Sequence, residues 1–218
     1  MKKLIAIIGS GEGISNGVAQ KFGKEGFKIA LIARTESKLQ EQVKKLAQES
    51  IEAIYTVADV ADANSLKNAL FSIRNKEGHA EVILYNAAAV SVMDILEQNW
   101  ETIKRQIDVN VGGFFHLMKL VLPYCLKENQ GKLFVTGGGF ALGGDDQWTS
   151  LSVGKAALRN LVQAFQKKVK GTNVHIAQLT VCGYVNPADE KYSPKLIAEQ
   201  YWKLYQQNPS EFENEIIY

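Results

Sequence analysis

Six times along this chain a short apolar run rich in β-branched residues gives way to a longer stretch whose apolar side chains recur at helical spacing. That alternation dictates parallel strands joined by helices. The strand-like runs fall at 3–9, 28–33, 53–58, 81–86, 132–136 and 174–180, with a seventh at 215–218. Helical stretches lie between them at 14–25, 36–49, 63–77, 98–128, 151–170 and 194–207. Right-handed crossovers then put helices on both faces, so the expected architecture is α/β: a doubly wound parallel sheet in a three-layer sandwich. With 218 residues, only four prolines and no linker or repeat, residues 1–218 read as a single domain.

Charge excludes several partner classes. The 25 Lys and Arg residues are interspersed with 23 Asp and Glu residues, for a net charge of +2, which makes no footprint for nucleic acid or membrane. A small molecule is the expected partner. Cys125 and Cys182 stand far apart, and His79, His116 and His175 are scattered, so neither a disulfide framework nor a metal site is signalled. The opening Met1-Lys2-Lys3 and the apolar residues 4–8 resemble the start of a secretion signal. The run stops at Gly9, however, short of the roughly 7–15 apolar residues a signal core needs. No stretch reads as the roughly 18 apolar residues of a membrane span. A soluble, cytoplasmic protein is expected.

The first run enters Gly9-Ser10-Gly11-Glu12-Gly13-Ile14, within which a helix begins. Glycines there let the chain turn tightly and bring backbone N–H groups and the positive end of a helix to a pyrophosphate. The same pattern also serves as a strand-to-helix turn without a ligand. At the end of the second run, Ala33 stands where an acid would bind the ribose hydroxyls of NAD, and Arg34 follows. A guidinium group suits a 2′-phosphate, so the pattern points to NADP (NADPH) over NAD, unless Arg34 is an ordinary surface arginine.

Further landmarks carry a resemblance to the short-chain dehydrogenase/reductase family over nearly the whole chain. Gly9-x-x-x-Gly13-x-Ser15 resembles that family's G-x-x-x-G-x-G, with Ser15 in place of the last glycine. Asp59-Val60 resembles the pair that meets the adenine, and Asn86-Ala87-Ala88-Ala89 resembles the segment beside the cofactor. Asn110 and Lys155 resemble the asparagine and lysine of the catalytic tetrad. The resemblance implies a Rossmann-type sheet of order 3-2-1-4-5-6-7. It also implies cofactor contacts from Gly9, Ser10, Gly11, Gly13, Ile14, Arg34, Asp59, Val60, Asn86, Ala87, Ala88, Lys155, Gly183 and Val185. A homodimer or homotetramer is implied too, the helix carrying Phe114 to Met118 packing across an interface in the family. Core packing within one subunit explains that apolar pattern equally.

One role has no obvious holder. Four residues before Lys155, where the family has its proton-donating tyrosine, this chain has Leu151, and the family's serine falls near Gly138. General acid catalysis of that kind is worth about 10²–10⁴-fold in rate. Thr136, Ser152, Cys182, Tyr184 or a water held by Lys155 and Asn110 are the available substitutes. The chain therefore resembles an atypical subgroup that keeps the lysine without the tyrosine. Either it is an oxidoreductase acting on a small carbonyl or alcohol, or an inactive nucleotide-binding sensor, scaffold or partner subunit. Trp148 is the tryptophan nearest Leu151, and the short polar stretch 186–193 predicts an open active side.

Overall fold

The computed structural model describes residues 2–218. Seven strands form one parallel sheet: β1 (Leu4–Ile8), β2 (Lys28–Ala33), β3 (Ala53–Val57), β4 (Val82–Tyr85), β5 (Gly131–Gly138), β6 (Val174–Val181) and β7 (Glu215–Ile217). Their order is β3-β2-β1-β4-β5-β6-β7, as the resemblance implies. Seven helices connect them: α1 (Ile14–Lys24), α2 (Glu36–Gln48), α3 (Ala63–Glu77), α4 (Trp100–Ile107), α5 (Gly113–Glu128), α6 (Thr149–Lys168) and α7 (Pro194–Gln206).

Strands covered on both faces are mostly apolar, and β1 and β4 are apolar and buried throughout; β6 is buried throughout too but carries His175, Gln178 and Thr180, which bond to Glu213 O and the Glu215 carboxylate. Ala6, Ile8, Ile83, Tyr85 and Val135 pack towards α3, α5 and α6, where Leu66, Phe114 and Leu158 meet them. Ile5, Ile7, Leu84, Phe134 and Leu179 face α1, α2 and α7, against Phe22, Leu39 and Tyr201.

Two elements differ from the sequence reading. The stretch 98–128, expected as one helix, is α4 and α5 joined by a π-turn, Asp108–Gly112. The buried Asn110 side chain accepts from the Ala89 N–H at 2.7 Å and donates to its carbonyl at 2.9 Å, and the widened turn aims it there. At the other end, β5 runs two residues beyond 136, because Gly137 and Gly138 pair with Thr180 and Val181. The helical run Trp100–Glu128 is 29 residues long and reaches a mean hydropathy of 1.3, enough by length and composition for a membrane span. It is a core element of the sandwich, burying Phe114, Leu117, Met118 and Leu122 against the sheet.

The order of connections reverses between β1 and β4. At such a switch point the flanking loops diverge and open a crevice beyond the carboxyl ends of the strands.

Candidate functional site

The crevice starts at the glycine turn. Gly9 has φ +82°, and a Cβ on it would lie 2.3 Å from Ala87 Cα, so only glycine fits between β1 and the segment after β4. Gly9 and Ser10 donate their backbone N–H groups to Ile32 O, tying the turn to β2. Gly11 and Gly13 instead face open space, a Cβ on either meeting nothing within 4 Å. Ser15 closes the turn, its hydroxyl accepting from Gly11 N at 2.8 Å and donating to Gly11 O at 3.1 Å. The close helix contact that a third glycine would make passes to Gly17, whose Cβ would lie 2.3 Å from Pro194 O at the start of α7.

A cavity of about 490 Å³ opens beside this turn, bordered by Gly9, Ser10, Gly11, Arg34, Asp59, Val60, Asn86, Ala87 and Ala88. Arg34 is exposed at the end of β2, and Lys38, one helical turn further on, borders the same space. Among the described residues neither cation pairs with a carboxylate. The nearby acids face Lys45 instead, Glu41 at 2.8 Å and the exposed Glu12 at 3.5 Å. Ser10 donates its hydroxyl to the buried Gln42 at 2.7 Å, fixing α2 to the turn. Asp59 accepts from Ala61 N, a contact that holds its carboxylate at the rim.

A second cavity, about 970 Å³, adjoins the first at Asn86 and Ala88. Ile14, Gly138, Leu151, Lys155, Gly183 and Val185 border it. Its floor is a chain of hydrogen bonds. Tyr201 OH meets Thr136 Oγ1 at 2.7 Å, Thr136 Oγ1 meets Asn86 Oδ1 at 2.8 Å, and Asn86 Nδ2 donates to Gly9 O at 3.1 Å. Burial holds the Tyr201 hydroxyl well above the usual tyrosine range, keeping it neutral. The Thr136 hydroxyl is thus committed within the protein and is not a free substitute for a serine.

Lys155 is only 7% exposed and donates from Nζ to Thr136 O at 2.7 Å. Burial alone lowers its pKa to about 8. Leu151 sits one helical turn before it on the same face of α6. Gly138 is extended (φ −167°, ψ 152°), and a Cβ there would meet nothing closer than Lys155 Cε and Cγ and Val181 O at 3.9 Å. Ser152 turns away and donates to Trp148 O. Cys182 points its thiol towards Thr180 O, and Tyr184 is 84% exposed at the mouth.

Most of the residues singled out in the sequence therefore converge on two adjoining cavities. Gly13 and Asn110 border neither, and the Asn110 amide is occupied by Ala89. Sequence reasoning missed Lys38, legible as a second cation at helical spacing from Arg34, and Gln42, which carries no local signal. It also missed Phe140, Leu142 and Asp145. Trp148 borders the second cavity half-buried, stacked on Phe140 with ring centroids 5.6 Å apart. Among the described residues no His, Cys, Asp or Glu cluster has metal-binding geometry.

A seven-stranded parallel sheet with this order and a two-part crevice at its switch point defines a Rossmann-type α/β protein. Residues 3–194 match the family described as short chain dehydrogenase, and the chain belongs to that family of NAD(P)-binding oxidoreductases. It is 26% identical over 181 residues to an uncharacterized oxidoreductase of Staphylococcus epidermidis, covering 82% of this chain and 76% of that one. A Staphylococcus aureus uncharacterized oxidoreductase is 26% identical over 207 residues, 90% of this chain and 88% of the relative. Among solved structures, a metagenomic short-chain oxidoreductase in complex with NADP superposes with a TM-score of 0.89 at 18% identity, over 99% of this chain and 96% of that one. An alcohol dehydrogenase from Thermococcus sibiricus complexed with 5-hydroxy-NADP gives 0.88 at 23% identity, over 99% and 95%.

Proposed function

We propose that this chain is an NADP(H)-binding oxidoreductase acting on a small carbonyl or alcohol, with Leu151 and Gly138 in the places of the family's tyrosine and serine. The observation that carries the reading is the pair of adjoining cavities, which meet at Asn86 and Ala88 and run past the carboxyl ends of β1 to β6. Their size and succession suit a dinucleotide, and the open space over Gly11 and Gly13 suits its phosphates.

When bound, the nicotinamide supplies the hydride. The protein's part is to bind, orient and carry charge. Gly13 and Ile14 receive the pyrophosphate at the amino end of α1, where unpaired N–H groups and the helix dipole favour anions, while Gly9, Ser10 and Gly11, whose N–H groups are spent on Ile32 O and Ser15 Oγ, shape the turn beside it. Arg34 and Lys38 hold the 2′-phosphate, Asp59 and Val60 the adenine, and Asn86, Ala87 and Ala88 the backbone side of the nucleotide. Lys155 spends one of three ammonium protons on Thr136 O, leaving two for ribose hydroxyls. Gly183 and Val185 border the nicotinamide end. Asn110 acts indirectly, by fixing the backbone at Ala89 next to that segment.

NADPH and NADH titrations followed by cofactor fluorescence test this reading, with NADPH expected to bind more tightly. Arg34→Ala should weaken NADPH by at least about tenfold, the scale of a lost charge-assisted hydrogen bond, and leave NADH nearly unchanged. Equal weakening of both refutes the 2′-phosphate assignment, and failure of both coenzymes to bind refutes the whole reading.

Leu151 favours a second reading, in which the nucleotide binds without turnover and the chain serves as a sensor, scaffold or partner subunit. Single-turnover oxidation of bound NADPH by a panel of carbonyl acceptors separates the two. The proposal extends to a cytoplasmic homodimer or homotetramer built on α5 and α6, where Phe115 and Val153 are exposed, with no nucleic-acid or membrane partner. Light scattering on the purified chain tests the assembly.

A further inference from the structure

We propose that the second cavity takes a planar, conjugated carbonyl of the quinone class, lying flat over Gly138 against the Phe140–Trp148 pair. This rests on the oxidoreductase reading above and narrows its substrate.

The first argument is the lack of an uncommitted proton donor at the place of Leu151. Of the side chains bordering the cavity, Asn86 and Thr136 are committed to each other and to Gly9 and Tyr201. Asp145 accepts from the backbone of Gln147 and Trp148. Leu151 has no exchangeable proton, Lys155 holds Thr136 O and turns its other ammonium protons to the ribose hydroxyls, Cys182 directs its thiol at Thr180 O, and Tyr184 stands 84% exposed at the mouth. Hydride added to an isolated ketone leaves an alkoxide about as basic as hydroxide. A reduced quinone leaves a phenolate, close to tyrosine's value of about 10, so its oxygen is roughly a million-fold less demanding of an acid at the moment of transfer. The site is suited to the second kind of acceptor.

Shape is the second argument. Gly138 is extended and leaves a shelf without a side chain, a Cβ there meeting only Lys155 and Val181 O at 3.9 Å, while Gly137 and Gly139 turn their bare faces to Gln178 and Cys182. Phe140 and Trp148 stack 26° from parallel beside it, and Leu142, Leu151 and Val185 complete an apolar wall. A flat ring fills such a slot, whereas a small aliphatic aldehyde leaves most of its volume unused.

The step balances without a protein acid. The reduced nicotinamide gives two electrons and one hydrogen to the quinone and is left oxidised. The hydroquinone monoanion then takes its second hydrogen as a proton from water at the open mouth.

Two readouts test the proposal, one of them independent of turnover. Quenching of tryptophan fluorescence by a naphthoquinone, in the protein without nucleotide, should be saturable. Gly138→Val, which places two methyl groups on the shelf, should weaken it by at least about tenfold. The same titration in Cys182→Ser separates binding from addition of the thiol to the quinone; loss of quenching there overturns the proposal. In single turnover, corrected for the reaction without protein, NADPH oxidation should be at least about 100-fold faster with the quinone than with an aliphatic ketone of equal size. Leu151→Tyr should narrow that ratio by raising the ketone rate. Comparable rates for ketone and quinone, oxidation by a cyclic iminium ion alone, or quenching indifferent to Gly138→Val would each overturn the quinone assignment while leaving the oxidoreductase reading intact. Failure to bind NADPH removes both.

Discussion

Methionine at position 155 keeps the length and apolar stem of the lysine and removes a buried charge that has no carboxylate beside it. Burial takes the Lys155 pKa from 10.5 to about 8, a penalty on the charged form of about 3 kcal/mol at about 1.4 kcal/mol for each tenfold. The variant loses the bond to Thr136 O, at a cost of about 1 kcal/mol. Lys155→Met should therefore stabilise the nucleotide-free protein by about 2 kcal/mol at pH 7, or about 4–8 °C in melting temperature for a chain of this size. The pH dependence has a definite sign. Below pH 8 both folded and unfolded lysine are charged and the natural protein bears the whole penalty. Between pH 8 and 10.5 the folded lysine is neutral while the unfolded one is still charged, so the natural protein gains stability as pH rises. The variant's advantage should shrink across that window and turn into a small deficit above it. Urea unfolding of both proteins from pH 7 to 10.5 makes the measurement. A variant less stable at pH 7, or a difference that does not fall between pH 8 and 10.5, would refute the reasoning. NADPH affinity should fall in the same variant by at least about tenfold, the worth of hydrogen bonds from a charged donor.

Two further outcomes follow from local geometry. Gly9→Ala combines a positive φ with a Cβ 2.3 Å from Ala87 Cα and should cost at least about 2 kcal/mol in urea unfolding, even without nucleotide; a neutral result would contradict the close approach of the two segments. His175, buried against Phe212 with Nε2 on Glu213 O, has its pKa lowered to about 4 by burial. Since the unfolded histidine takes up its proton first, stability should fall as pH drops from 6.5 towards 4, and His175→Phe should flatten that slope in the urea midpoint.

Much of the fold was legible because the central strands β1 and β4 are apolar at every position and the helices on one face, patterns that survive in a single sequence. The glycine turn, Arg34 and Lys155 were legible for a related reason: each is local chemistry at the end of a strand or on a helix. What escaped depends on contacts distant in sequence. The π-turn at Asn110 exists for a hydrogen-bonded exchange with Ala89, 21 residues earlier. Gly137 and Gly138 look like strand breakers but are held extended by β6. Ser15 looks like a lost helix contact, yet the contact is made at Gly17, against a helix more than 170 residues away in the chain. Gln42 and Tyr201 meet their partners only once the layers are assembled.

The segment between β6 and α7 is short and fastened at several points. Gly183 packs against the Tyr192 ring, Asp189 accepts from the backbone of Lys191 and Tyr192, and Tyr218 donates its hydroxyl to Lys191 O. A border pinned in this way does not fold over its guest. Ligand capture should then show one exponential phase whose rate climbs linearly with concentration, without the plateau that a slow closing step imposes. Residence would be governed by contacts alone.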